Sequence, residues 1–137
     1  LDLADRVVSS RGAILLTSAA VMTLLDVSLD PAMNHVFPVW TYEVDGFFYG
    51  MPLSNWVGWF VVSLLIMLSY ELMGGLKALS RWAPLVYVLN CFFPLMISLL
   101  HATYGAVLVG AVATAVPFVV IWLRQRQREK PALATRP

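Results

Sequence analysis

The sequence predicts an all-α, polytopic membrane protein with four transmembrane helices and both termini in the cytoplasm. Three observations carry this. Hydrophobic residues make up 60% of the 137-residue chain and charged residues only 12%, with a mean hydropathy of +0.78. A soluble domain is about 25% charged, and a chain this short would need a polar surface larger than its core. Four runs, at about 12–29, 55–72, 83–100 and 104–123, come close to the roughly 20 apolar residues that a helix needs to cross about 30 Å of hydrocarbon. Every Lys and Arg falls on one side of those runs, which orients them.

Arg6 and Arg11 precede the first span, and Pro31, following Asp30, is expected to stop it. The segment 31–54 then reads as an aromatic loop that carries Glu43 and Asp45 and no basic residue. Pro52 precedes the second span, Ser54 is its expected N-cap, and Gly74-Gly75 ends it. Lys77 and Arg81 lie between the second and third spans, and Pro84 sits in the first turn of the third. The short gap from Leu100 to Thr103 makes the third and fourth spans a tight antiparallel hairpin. Pro94 and Pro117 lie inside spans and are expected to kink them. The remaining basic residues, Arg124, Arg126, Arg128, Lys130 and Arg136, all follow the fourth span. Positive charge on the inner side then requires an even number of spans, which agrees with the count. The chain thus divides into a helical domain over 1–123 and a basic cytoplasmic tail over 124–137. That tail reads as a solvated, frayed end, either an ordinary stop-transfer anchor or a cluster touching anionic lipid. The first residue is Leu1, not Met, so the chain is expected to be processed or to be part of something longer.

Several function classes drop out. Nine Lys/Arg against eight Asp/Glu leave a net charge of +1, which attracts no polyanion, so no nucleic-acid partner is expected. One cysteine, Cys91, allows no intrachain disulfide and sits in an apolar run as a buried, inert thiol. Internal repeats, phosphate loops, dinucleotide fingerprints and metal-ligand spacings are absent, and two histidines, His35 and His101, are too few to argue for haem or zinc.

Chemistry concentrates where ionisable groups enter the membrane, because such groups are costly there and face the bundle interior or water. Asp26 and Asp30 are four residues apart at the end of the first span, so they share a helical face. Two readings stand. The carboxylates repel and lose hydration, so that one of them holds a proton and serves as a general acid. Alternatively, Asp30 reaches interfacial water and Asp26 accepts hydrogen bonds from a neighbouring helix. Eight aromatics fall within the 21 residues from Trp40 to Phe60: Trp40, Tyr42, Phe47, Phe48, Tyr49, Trp56, Trp59 and Phe60. They read either as an interfacial belt or as a lid over a pocket, where ring faces would stabilise a cation. Glu71 is expected to be an interfacial residue paired with Lys77. Asn90 and His101 could share a face of the third helix, each as interhelical glue. His101 lies at the same depth as Asp30 and the aromatic loop, which makes it a candidate pocket member.

The string Leu25-Asp26-Val27-Ser28-Leu29-Asp30-Pro31, then Trp40, then the run from Phe48 to Phe60 (Phe48-Tyr49-Gly50-Met51-Pro52-Leu53-Ser54-Asn55-Trp56-Val57-Gly58-Trp59-Phe60) resembles the carotenoid biosynthesis membrane-protein family. That family includes carotenoid 1,2-hydratases and the bisanhydrobacterioruberin hydratase type. The shared pattern is D-x-x-x-D-P, a Trp, then aromatic-Y-G-x-P-x-x-N-aromatic-x-G-W, in order and spacing over about 35 residues. Family members are roughly twice this length, so the resemblance is to a C-terminal half. An N-terminal half or other carotenoid enzymes then become expected partners.

The resemblance implies addition of water across the terminal C=C of an acyclic, lipid-dissolved carotenoid, with no metal or organic cofactor, in a bacterial or archaeal cytoplasmic membrane. Hydration of such an alkene begins with protonation to a tertiary carbocation, which water captures. On that reading Asp26 or Asp30 is the acid and Asn55 orients the water. Trp40, Tyr49, Trp56 and Trp59 line the substrate wall, with His101 nearby. Asn55 and Trp59 are one turn apart and suit a pocket lining. Cyclisation or isomerisation of a carotenoid end group would use the same acid. A non-catalytic membrane subunit would use neither carboxylate chemically. A proton-coupled transporter fits poorly, because the third and fourth spans carry no carboxylate.

Overall fold

A computed structural model describes residues 2–6, 8, 10–44, 46–74 and 81–134, and the side chains of most of them. The elements are α1 (Asp2–Asp5), α2 (Arg11–Asp30), a π-helical segment (Pro31–Val36), α3 (Leu53–Leu72), α4 (Ala83–Leu100) and α5 (Tyr104–Ala134). No strand occurs among the described residues beyond two isolated bridges at 46–51. Four stretches are long and apolar enough to cross a bilayer: Arg11–Val36, Leu53–Leu72, Ala83–Leu100 and Tyr104–Gln127. The chain is an all-helical integral membrane protein, as its composition predicted.

The inside and outside are inverted relative to a soluble fold. Buried positions include Ser18, Asp26, Ser28, Asp30, Ser63 and Ser98, whereas Val57, Leu65, Ile66, Leu89, Phe92 and Leu108 face outward. Lipid tails are as apolar as leucine, so helices here associate through close packing and hydrogen bonds, not through burial of oil from water. Small residues therefore line the contacts. On α4, Tyr87, Cys91, Pro94 and Ser98 are buried at steps of four, three and four, and on α5 Ala106, Gly110, Ala113 and Pro117 repeat that spacing. Both rows have the near-3.5-residue period of a packed seam.

Helix α2 is the hub and packs on α1, α3, α4 and α5. It runs antiparallel to α3: Asn55 meets Asp26 near one end, and Arg11 pairs with Glu71 at 2.8 Å near the other. The register places Ser63 and Ala19, both buried, midway along the pair. Against α5, Ser28 Oγ donates to the Gly110 carbonyl at 3.3 Å. A Cβ at Gly110 would lie 2.7 Å from Leu95 Cδ2 and 3.2 Å from Ser28 Oγ, so glycine is what lets the helices approach this closely. The α4–α5 hairpin turns through Ala102 in the left-handed region (φ 57°), with the Thr103 backbone N–H and Oγ1 both donating to the Ser98 carbonyl.

Several expectations need correction. Regular α-helix ends at Asp30, directly before Pro31 as expected, but the span does not end there. The chain continues as a π-helical segment to Val36, and the Phe37 N–H donates to the Ala32 carbonyl at 2.8 Å. Pro31 stands at the first position of that segment. The loop after the first span is therefore shorter, over 37–52. Ser54 is not the cap of α3; Pro52 holds that position with no side-chain hydrogen bond. The basic tail is not frayed from residue 124, because α5 runs on to Ala134 through Gln, Arg, Glu and Lys, all good helix formers. The short α1, unforeseen in the sequence, tucks Leu3 against Tyr87 and Cys91. Glu71 pairs with Arg11, and its expected partner Lys77 lies outside the described residues, as do Asp45, Gly75 and Arg136. Asn90 is exposed and donates to Val86 of its own helix, not across helices.

Candidate functional site

The site forms where the end of α2 meets the start of α3 under the 37–52 loop. Asp26 and Asp30 project from one face of α2, one turn apart, and are only 4% and 0% exposed. The two carboxyl groups are hydrogen-bonding neighbours of each other. Asn55, in the first turn of α3, reaches across and clamps both. Its Nδ2 donates to Asp26 Oδ2 at 3.2 Å and to Asp30 Oδ2 at 2.5 Å, and lies 3.3 Å from Met51 Sδ. Tyr42 closes the cluster from the loop, its hydroxyl donating to Asp30 Oδ2 at 3.2 Å. Trp40 lies beside Asp30 and Tyr42.

The bonds gather on one oxygen of Asp30. Its other oxygen, Oδ1, is buried and receives no donor from any described residue. A buried carboxylate oxygen without a donor is expensive. A proton shared between Asp26 and Asp30 would relieve it, and so would a donor on a bound molecule. Tyr42 is the titratable loop residue of the cluster. Burial, and then the nearby Asp30 charge, push its phenol up to about 12, so it remains a donor at neutral pH.

The loop is held by a strained turn. The Met51 N–H donates to the Phe48 carbonyl at 2.9 Å, and the two residues between, Tyr49 (φ 49°) and Gly50 (φ 82°), are both left-handed. Positive φ at both central positions is the signature of a type I′ turn. Tyrosine is unfavourable there by about 1–2 kcal/mol. Two bonds offset this: Asn34 Nδ2 donates to the Tyr49 carbonyl at 2.8 Å, and the Ala106 N–H at the start of α5 donates to the Tyr49 hydroxyl at 3.1 Å. Gly105 allows that approach, since a Cβ there would lie 2.7 Å from the hydroxyl. A Cβ at Gly46 would fall on the Met51 carbonyl. The turn thereby fixes Met51, which is 1% exposed and touches Asn55.

The residues singled out in the sequence thus separate. Asp26, Asp30, Asn55 and Trp40 converge. Tyr49 stands one layer out, its hydroxyl committed to α5 and its ring edge-on to His35 at 5.3 Å. Trp56 packs against Phe47 (5.6 Å) and Phe48 (6.0 Å), with its indole nitrogen buried and unpartnered among the described residues. Trp59 is 39% exposed on the outer side of α3. His101 is exposed at the end of α4, its ring against Phe37 at 5.6 Å. Tyr42, Met51 and Asn34 were not foreseen as site residues. Tyr42 and Met51 lie inside the resembled segment, but nothing in their spacing predicts which loop side chain folds back on Asp30.

Among the described residues no group of three or more His, Cys, Asp or Glu is placed to hold a metal ion. Neither a curated protein nor a solved structure matches the chain. The model of one protein family does match, over residues 2–117, which takes in all of α1 to α4, the loop and the carboxylate cluster; its members are described as carotenoid biosynthesis proteins. A buried acidic cluster at the end of an apolar helical bundle suits the lipophilic carotenoid substrate that this family implies, and the chain belongs to the carotenoid biosynthesis protein family.

Proposed function

We propose that this chain hydrates the terminal C=C of an acyclic carotenoid, with the Asp26–Asp30 pair as the acid. The observation that carries the reading is the clamp itself. Two carboxyls that are almost wholly buried share one amide donor, and one oxygen of Asp30 is left for a proton or a substrate-side donor.

The proton held by the pair passes to the less substituted alkene carbon. The π electrons form the new C–H bond, and the adjacent carbon becomes a tertiary cation. The pair, now carrying one more negative charge, stabilises that cation across a short, water-poor gap. Trp40 and Tyr42 add ring faces on the loop side. Water donates an oxygen lone pair to the cation, and the resulting oxonium returns a proton to the pair. The sum is substrate plus one water, with the acid regenerated. Asn55 holds the two carboxyls in register while their charge changes, and its amide oxygen is free to orient the water. The site faces the outer side of a bacterial or archaeal cytoplasmic membrane, with both termini inside, as the placement of Lys and Arg favours.

The test is expression of the chain in membranes that contain lycopene, followed by mass analysis of the pigments. A tertiary alcohol heavier than lycopene by one water supports hydration. A product isomeric with lycopene would replace it by cyclisation or isomerisation. Unaltered lycopene beside stably inserted protein, with the expected N-terminal half also supplied, would leave a non-catalytic membrane subunit.

A further inference from the structure

A different feature lies at the end of the bundle far from Asp26 and Asp30. The α4–α5 hairpin reverses at 101–103, and Tyr87 of α4 meets Phe118 of α5 at 6.1 Å between ring centroids. Trp82 lies five residues beyond Tyr87 and Trp122 four beyond Phe118, so the two indoles stand at one level. They are 56% and 48% exposed. The stretch of α5 from Tyr104 to Leu123 rises about 30 Å, the thickness of the hydrocarbon. Both rings therefore sit at the membrane edge, and the residues beyond them lie among the headgroups.

Each ring carries a guanidinium. Arg81 Cζ lies 4.9 Å from the centre of the Trp82 ring, and Arg126 Cζ lies 4.1 Å from that of Trp122. Arg124 adds a third exposed cation. Glu71, at the same end, is taken by Arg11, and no described carboxylate pairs with Arg81, Arg124 or Arg126. A stacked arginine spends its face on the ring and keeps its in-plane N–H groups for the oxygens of a phosphate. The ring faces, covered in this way, are closed to a choline. Toward the membrane centre each indole is followed on its own helix face by exposed apolar side chains: Leu85 and Leu89 below Trp82, and Val119 below Trp122. Each helix end thus presents hydrocarbon, then an indole, then a guanidinium, in the order in which a phospholipid presents acyl chain, interface and phosphate.

We propose that this end of α4 and α5 binds an anionic phospholipid, its phosphate held by Arg81 and Arg126 and its acyl chains lying along the two apolar rows. A net negative headgroup is selected because three cations face it without a described counter-charge. The site takes no part in the carotenoid chemistry and stands or falls apart from it.

The test uses the chain purified in neutral detergent. Phosphatidylglycerol and phosphatidylcholine with identical acyl chains are titrated in, and thermal unfolding reads binding. The wild type is expected to bind phosphatidylglycerol about 25-fold more tightly, about fivefold for each stacked arginine, the worth of one basic residue at an anionic surface. Arg81→Gln and Arg126→Gln should each reduce the preference to about fivefold, and the double variant should lose it. Trp122→Leu keeps every charge but removes the ring that orients Arg126, and it should reduce the preference as well. Arg11→Gln removes a positive charge from the same end without touching a stacked pair, so it should keep the full preference. Inorganic phosphate, which has no acyl chain, should not shift unfolding. Equal binding of the two lipids by the wild type would overturn the proposal. So would an equal loss in Arg11→Gln and Arg126→Gln, which would reduce the effect to the general pull of positive charge, or a full preference in Trp122→Leu. A shift with inorganic phosphate as large as that with phosphatidylglycerol would also overturn it.

Discussion

Asn55 Nδ2 sits 2.5 Å from Asp30 Oδ2 and, with the same nitrogen, 3.2 Å from Asp26 Oδ2. One neutral amide from α3 thus bridges two acidic groups of α2 that would otherwise repel at close range in a medium of low dielectric. The arrangement ties the packing of the two helices to the protonation of the cluster.

If the pair is the acid, each carboxyl matters for product. Asp26→Asn and Asp30→Asn should each lower the yield of hydrated carotenoid by at least about 100-fold, the low end of what a positioned general acid contributes. Both variants keep a side chain of the same shape that can still meet Asn55, so protein levels in the membrane should hold. Pigment mass analysis normalised to protein checks this, and hydrated product at the wild-type level from both variants would remove the pair from the chemistry.

Asn55→Ala leaves the two carboxyls without their shared donor. Stability should fall by about 1–3 kcal/mol, the cost of a buried polar group left unpaired. Product should fall as well, because the carboxyls lose their register. Thermal unfolding in nanodiscs and pigment analysis measure the two effects separately. Asn55→Asp adds a third carboxyl to the cluster and should be the worse variant by both measures.

The parts of this site that were legible in the sequence are those set by helical periodicity. Asp26 and Asp30 share a face because they are one turn apart, and Asn55 comes to them because an antiparallel neighbour starts where α2 ends. The fold followed from hydropathy in the same way, down to the hairpin at 100–103 and the bounds of α4. What escaped depends on the path of irregular chain. Tyr42 reaches Asp30 only because the loop folds back over α2, and the span continues past Asp30 as a π-helical segment that no composition rule signals. Tyr49 looks in sequence like one more ring of an aromatic wall. Its left-handed backbone and its bond to Ala106 show in addition a brace for the loop. Neighbouring aromatics in the same run differ in exposure: Trp56 packs against Phe47 and Phe48 of the loop, whereas Trp59, one turn on, is 39% exposed.

The brace can be tested apart from the chemistry. Gly105→Ala places a methyl 2.7 Å from the Tyr49 hydroxyl, so the ring and its turn must shift. Tyr49→Phe keeps the ring and removes the acceptor for the Ala106 N–H. Each should cost about 1–2 kcal/mol in thermal unfolding. Gly105→Ala should lose more product than Tyr49→Phe, because displacing the turn also moves Met51 away from Asn55.

The far end of the α2–α3 pair should be insensitive. Arg11 is 74% exposed and Glu71 27%, and a pair in that setting is worth about 0–1 kcal/mol. Glu71→Gln should leave the yield of product unchanged and lower the unfolding midpoint only slightly, with that small effect vanishing as salt is raised. A large loss of product in Glu71→Gln would mean that acid chemistry also occurs at that end.

Tyr42 gives the site a signature in alkaline solution. Burial and the adjacent Asp30 raise its phenol from the usual 10 to about 12, so the folded protein binds that proton more tightly than the unfolded chain. The stabilisation is complete below pH 10. It declines between pH 10 and about 12, because the unfolded chain gives up the proton first and is favoured as pH rises. The difference in ultraviolet phenolate absorbance between wild type and Tyr42→Phe should therefore appear with a midpoint near pH 12. Replacing Asp30 by Asn takes away the charge that contributes to the rise, so in that background the midpoint should move down toward 10. A midpoint already at 10 with Asp30 in place would mean that the Tyr42 hydroxyl does not rest against the carboxylate in the membrane-embedded protein.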